Sequence, residues 1–144
     1  MDPWQGRTVL VVDDSDMIRS CLIHLFEEVG LTVVGEASNG EEALEMVDRI
    51  EPDLVSLDIK MPVMDGPACY AKIKQTNNSA KFLIVSCVGA IDFEESVMSA
   101  SLSKEIFVSK LPAIPALHQA LNDLFAIAGS ENSSTESLEV QEAG

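Results

Sequence analysis

A chain of 144 residues with 47% apolar side chains can bury one core and leaves no room for a second domain. Acidic residues outnumber basic ones 24 to 9, a formal charge of −15. That balance excludes nucleic acid and anionic lipid as partners, since Lys and Arg sustain such binding, and it favours a basic protein surface. The longest apolar stretch, residues 82–91, is too short to span a bilayer, so no membrane insertion is expected. The start lacks a basic segment followed by an apolar run, and three cysteines without CxxC spacing argue for reduced, packed thiols. A cytoplasmic protein is expected.

Along the chain, short apolar runs alternate with amphipathic segments. Residues 8–12 read as a strand that ends on Asp13-Asp14. Met17, Cys21, Leu25 and Val29, with Ile18, Leu22 and Phe26, form an apolar stripe at helical spacing, and Gly30 is suited to end that helix. After a second strand at 32–35, Asn39-Gly40 leads into a helix at 41–50 with acids in its first turn, as the helix dipole prefers. Residues 54–57 form a third strand ending on Asp58, and Pro67 suits the start of a third helix. A fourth strand at 82–85 precedes Ser86, and Asp92 with Glu95 resembles the capping box of a fourth helix. The last strand, 106–108, is followed by Lys110, and Leu117, Leu121, Leu124 and Phe125 mark a fifth helix. Residues 130–144 are Ser- and Glu-rich, the composition of a disordered acidic tail. The runs are rich in Val, Leu and Ile, as expected of strands buried on both faces.

Strands alternating with helices imply a parallel sheet covered on both sides, a three-layer α/β/α sandwich. Sites in such sheets form beyond the carboxyl ends of the strands. Asp13, Asp14, Asp58, Ser86 and Lys110 all fall there. Should the first and third strands be neighbours, three carboxylates crowd one space and require a cation among them. Oxygen-only ligands suit Mg²⁺. Each residue alone has a plainer explanation: a turn-capping Asp, helix N-terminal acids together with Ser15 and Asp16, a surface lysine, a core phenylalanine at 107. None of these explains why acids end two strands.

The segments Val11-Val12-Asp13-Asp14, Leu57-Asp58-Ile59-Lys60-Met61-Pro62-Val63-Met64-Asp65-Gly66, Ile84-Val85-Ser86 and Phe107-Val108-Ser109-Lys110, set in this alternation, resemble the receiver domain of two-component response regulators over residues 7–129. The resemblance implies a flavodoxin-like, five-stranded parallel sheet in the order 2-1-3-4-5. It implies that Asp58 accepts a phosphoryl group from a sensor histidine kinase or histidine phosphotransfer protein. Asp14 would bind Mg²⁺ with Asp58 and the backbone carbonyl of Lys60, and Asp13 would act through water. Lys110 would pair with Asp58 and then with the phosphoryl group. Ser86 and Phe107 would form the switch that alters contact with a downstream protein. A stand-alone receiver is thus expected, a phosphoacceptor and not an enzyme acting on other molecules.

Some positions depart from the family pattern. Leu111 follows Lys110 where Pro is common, and since a cis bond before Leu costs on the order of 3 kcal/mol, a trans bond or a local rearrangement is expected. Cys87 replaces a smaller residue after Ser86, and residues 98–105 lack the usual small-residue turn. Lys60 and Val88 stand where residues that orient an attacking water often lie, which implies slow autodephosphorylation. The competing expectations are a binding module that no longer takes phosphate, an Asp-nucleophile Mg²⁺-dependent phosphohydrolase, and a flavin mononucleotide carrier. Lys60 replaces the second acid that the phosphohydrolase needs, and Asp13-Asp14-Ser15-Asp16 would repel the flavin phosphate. His24 and His118 lie in helical segments without ligand partners in the sequence.

Overall fold

A computed structural model describes residues 2–59, 61–76, 79–86, 106–109, 112 and 114–133, with 86, 106–109 and 126–133 described by their backbone alone. Its elements are β1 (Thr8–Val12), α1 (Asp16–Glu28), β2 (Thr32–Ala37), α2 (Gly40–Ile50), β3 (Leu54–Leu57), α3 (Gly66–Gln75), β4 (Lys81–Ser86), β5 (Ile106–Ser109) and α4 (Ile114–Ser133). All strand pairs are parallel and the order is β2-β1-β3-β4-β5, the expected flavodoxin-like sheet. The capping pair at Asp92 and Glu95 lies outside the described residues.

Successive side chains of a strand point to opposite faces, and here both faces are apolar because both carry helices. Leu10, Val12, Val55, Leu57, Phe82 and Ile84 meet Val47 of α2 and Tyr70 and Ile73 of α3. Val9, Val11, Leu54, Leu83 and Val85 meet Leu22 and Phe26 of α1 and Leu117 and Leu121 of α4. Each helix that follows β1, β2 or β3 starts on a side-chain oxygen holding an otherwise orphaned N–H. Ser15 Oγ accepts from Ile18 N at 3.2 Å, Asn39 Oδ1 from Glu42 N at 2.9 Å, and Asp65 Oδ1 from Ala68 N at 3.0 Å. At the far end of α1, Gly30 takes the left-handed conformation (φ 105°) and Leu31 N donates to Phe26 O at 3.0 Å.

Two expectations need correction. The apolar stripe of α1 is narrower than its sequence suggests: Met17 is 73% exposed and Cys21 is exposed, while Leu22, Phe26 and Val29 are buried. A helix lying on a sheet covers only one sector of its circumference, and the column of Met17 and Cys21 falls outside it. The packed-thiol expectation therefore holds for Cys69 and fails for Cys21. The second strand is not buried on both faces, because β2 is a sheet edge with exposed residues at Thr32, Val34 and Glu36. It also extends to Ala37. Its register with β1 passes from Val9↔Val33 to Leu10↔Gly35, so Val34 is an extra residue, a bulge of the kind that edge strands favour.

The core begins before Arg7. Trp4 is buried, its Nε1–H donates to Val29 O at 2.9 Å, and its ring meets His118 of α4 edge-on with centroids 5.2 Å apart. Gln5 Nε2 donates to the same carbonyl at 3.2 Å. Thr8 N and Oγ1 both donate to Asp53 Oδ2, at 2.9 and 3.1 Å, tying the starts of β1 and β3 together. At the other boundary, α4 runs to Ser133, past the expected limit at Gly129. No helix among the described residues is long and apolar enough to cross a membrane.

Trp4→Ala is expected to lower the free energy of unfolding, measured in urea, by roughly 3–5 kcal/mol. Trp4→Phe is expected to cost less, roughly 1–3 kcal/mol, because a smaller aromatic ring is kept while part of the buried volume and the donated hydrogen bond are lost.

Candidate functional site

The register Val12↔Leu57 places the residues after β1 and β3 side by side at the carboxyl end of the sheet. The ladder continues one step beyond the strands: Asp58 N donates to Val12 O and Asp13 N to Ala37 O, each at 3.1 Å. Asp13 (0% exposed) and Asp58 (3% exposed) are thereby buried, and Asp14 is exposed beside them. Carboxylate oxygens from the three lie within 4.8 Å of one another. Backbone donors orient the two buried groups: Ser15 N reaches Asp13 Oδ1 at 2.9 Å and Ile59 N reaches Asp58 Oδ1 at 2.8 Å.

Three carboxylates at this spacing repel one another, and two of them are shielded from water. Hard oxygen donors, two buried and one open to solvent, match what Mg²⁺ asks of a protein that leaves it several waters. The donor set of Asp13, Asp14 and Asp58 therefore fits a divalent cation.

The segment after Asp58 is bound tightly to the site. Gly66 N donates to Ile59 O at 2.7 Å, closing a loop over residues 59–66. A Cβ on Gly66 would lie 2.2 Å from Asp58 O, so only glycine allows α3 to start this close to the acid. Gly40 N donates to Met64 O at 2.9 Å and joins the loop to the start of α2, where a Cβ on Gly40 would again collide with Met64 O. Cys69 Sγ–H points to Gly40 O at 3.6 Å. Burial, with Asp65 nearby, pushes this thiol up to about 12, so it stays a neutral donor. Val63, 74% exposed, holds a left-handed backbone (φ 69°), which is costly for a β-branched residue. The Asp65-Gly66-Pro67 signature is thus an N-cap, a point of close approach and a helix start in succession.

Arg19 was not singled out in the sequence, where it reads as a surface residue of α1. Its Nη1 donates to Asp13 O at 2.7 Å, its Nε to Glu36 Oε1 at 2.6 Å and its Nη2 to Asp16 Oδ1. The hydrogen bond it donates to Glu36, and then the one it donates to Asp16, raise its pKa above the ordinary guanidinium value, against the lowering effect of burial. The spacing Asp13–Arg19 across a turn and the start of a helix was the available signal, but nothing in the sequence showed that Glu36 lay on the same side.

Of the other expected site residues, Ser86 ends β4 and pairs with Ser109, while Phe107 in β5 pairs with Ile84, so both strands end on the acidic side of the sheet. Lys60, Cys87, Val88, Lys110 and Leu111 lie outside the described residues. His24 is far along α1 with Glu28 at 3.8 Å, and His118 packs on Trp4.

Comparison with known proteins returns one family model, the response regulator receiver domain, over residues 9–122. A protein-glutamate methylesterase/protein-glutamine glutaminase from Hahella chejuensis is 59% identical over 67 residues, 46% of this chain but only 19% of that protein. The chemotaxis protein CheY of Thermotoga maritima is 38% identical over 84 residues, 58% of this chain and 70% of that one. Among solved structures, a chain of the CheX–CheY–BeF3–Mg²⁺ complex from Borrelia burgdorferi superposes with a TM-score of 0.74 at 27% identity, covering 84% of this chain and 90% of that chain.

In cation-free buffer, Asp58→Asn is expected to raise the free energy of unfolding by about 1–2 kcal/mol. That is a part of the roughly 3 kcal/mol repulsion between two unit charges at this distance in an effective dielectric of about 20. Mg²⁺ at about a hundred times its Kd is expected to add about 2.7 kcal/mol to the wild type and far less to the variant, as read by denaturation with and without the ion.

Proposed function

We propose a phosphoryl-accepting switch for this chain, which belongs to the response regulator receiver domain family. Asp58 is the acceptor, and the donor is a phosphohistidine on a sensor histidine kinase or a histidine phosphotransfer protein. The observation that carries this reading is the convergence of Asp13, Asp14 and Asp58 within 4.8 Å at the ends of β1 and β3.

Phosphoryl transfer relies on positioning and charge neutralisation more than on acid–base help. A carboxylate is already an ionised nucleophile, so Asp58 requires no general base. Its oxygen forms the new O–P bond while the donor P–N bond breaks, and the departing imidazole nitrogen keeps the electron pair and takes up a proton. The Ile59 N–H on Oδ1 holds the plane of the carboxylate during the attack. Asp14 and Asp58, with the backbone carbonyl of Lys60, would hold Mg²⁺ in this proposal, and Asp13 would act on it through water. When bound, the ion supplies positive charge for the transferring phosphoryl oxygens. Lys110 supplies a second, mobile positive charge, as its long stem and point-like ammonium allow.

Ser86 and Phe107 act as the switch. The hydroxyl donates to a phosphoryl oxygen and the ring follows it inward, changing the surface presented to a downstream protein. The receiver occupies residues 7–129 with Trp4 packed on it, and residues 130–144 are its acidic tail, of which 130–133 continue α4 and 134–144 lie outside the described residues. Output is by altered protein binding in the cytoplasm. The likeness to the methylesterase spans less than a fifth of that protein, and no esterase activity is assigned to this chain.

Incubation with Mg²⁺ and acetyl phosphate is expected to add one phosphoryl group by intact mass, and Asp58→Ala is expected to abolish the gain. No gain at saturating donor and ion would favour a module that binds partners without phosphate. The Lys60 and Val88 positions predict a slow loss of the group once the donor is removed. A half-life of only seconds in Mg²⁺ buffer would contradict that.

A further inference from the structure

We infer that Arg19 is a positioning residue for the acidic site, clamping the Asp13–Asp14 peptide in the orientation that presents both carboxylates to a divalent cation. The inference rests on the proposal that these acids hold such an ion. Arg19 Nη1 donates to Asp13 O, the carbonyl of the peptide that joins Asp13 to Asp14. A peptide is planar, so holding its oxygen also holds the nitrogen on which Asp14 is carried. Asp13 itself is held at its N–H by Ala37 O and at Oδ1 by Ser15 N. The guanidinium contact governs the next residue, which is exposed and has a solvated side chain to orient.

The clamp is anchored at both ends. Arg19 Nε donates to Glu36 on β2 and Nη2 to Asp16 in the first turn of α1, leaving the side chain only 13% exposed. Glu36 reaches this position because of the bulge at Val34. Along β2, Val33 packs on the α1 and α4 side, whereas a Cβ on Gly35 would meet Met46 and Ile50 of α2. Residues two apart on a strand normally share a face, and the extra residue reverses that parity. Glu36 is then paired in register with Val11 and turned toward α1, while Ala37 packs with the α2 side. Without the bulge, Glu36 would face α2 and Arg19 would lose its partner.

Charge alone does not account for the arrangement. Two acids already outweigh the single charge of the guanidinium, so its worth to the site lies in the rigid fork that reaches a carbonyl and two carboxylates at once. An ordinary exposed ion pair would alter stability slightly and leave cation affinity alone. Groups that orient a metal ligand from behind typically change affinity by about 10–100-fold when lost.

The test is calorimetric titration of the full chain with Mg²⁺, alongside urea denaturation without the ion. Arg19→Lys keeps the charge and loses the fork, and is expected to weaken Mg²⁺ binding by about tenfold or more. Glu36→Ala, which leaves Arg19 in place but unanchored, is expected to weaken it in the same direction, and serves as the second probe should Arg19→Lys not fold. Glu36→Gln keeps an accepting oxygen and is expected to restore affinity to within about twofold of the wild type. Wild-type affinity in Arg19→Lys, or in Glu36→Ala where Arg19→Lys does not fold, would overturn the inference while leaving the metal site intact. Absence of any Mg²⁺ binding by the wild type would overturn both.

Discussion

The parallel pairing of β1 with β3 is the constraint on which the rest depends. It sets Val12 opposite Leu57 and so brings Asp13 and Asp58 together at the same edge, both out of contact with water. Two buried carboxylates with a third beside them repel one another. They stay because their strands are locked by apolar packing on two faces, with Val9 and Val11 set against one helical layer and Leu10 and Val12 against the other. Core packing thus holds three carboxylates close together, a spacing that suits a positive ligand.

The surroundings of the acids are built to resist movement. Backbone N–H groups from Ser15 and Ile59 orient the two buried carboxylates, and the loop after Asp58 is closed onto Ile59 and tied to the start of α2. Gly66 and Gly40 allow backbone segments to approach more closely than any side chain would permit. Val63 accepts an unfavourable backbone conformation within the same loop. Signals passing from Asp58 toward α2 and α3 would meet a short, tightly bonded connection, one suited to moving as a unit.

On the opposite edge of the sheet, the N-terminal segment performs a purely structural role. Trp4 covers the space between α1 and α4, and the Thr8–Asp53 bonds fasten the two central strands at their starts. Arg7 and Lys81 sit 5.8 and 5.9 Å from the ring of Phe125, which holds the middle of α4 to the same edge. One end of the sheet is therefore closed by apolar and cation–ring contacts, and the other carries the charged site.

Much of this could be read from residue order alone. Apolar runs of three to five residues broken by helical spacing are sufficient to specify an alternating sheet. Asp13, Asp14 and Asp58 were legible because they end such runs, and a strand's end is a one-dimensional property. Caps at Ser15, Asn39 and Asp65 are local too, acting over three residues. What tertiary structure alone decided involves residues whose partners are distant in the chain. Which column of α1 faces the sheet depends on the angle at which the helix lies, so the apolar spacing of Met17 and Cys21 does not reveal that they face solvent. Trp4 had no periodic neighbours and gains its role only from Val29 and His118. Arg19 and Glu36 meet because one extra residue in an edge strand reverses the direction of a side chain, and a bulge has no signature until its partner strand is in place.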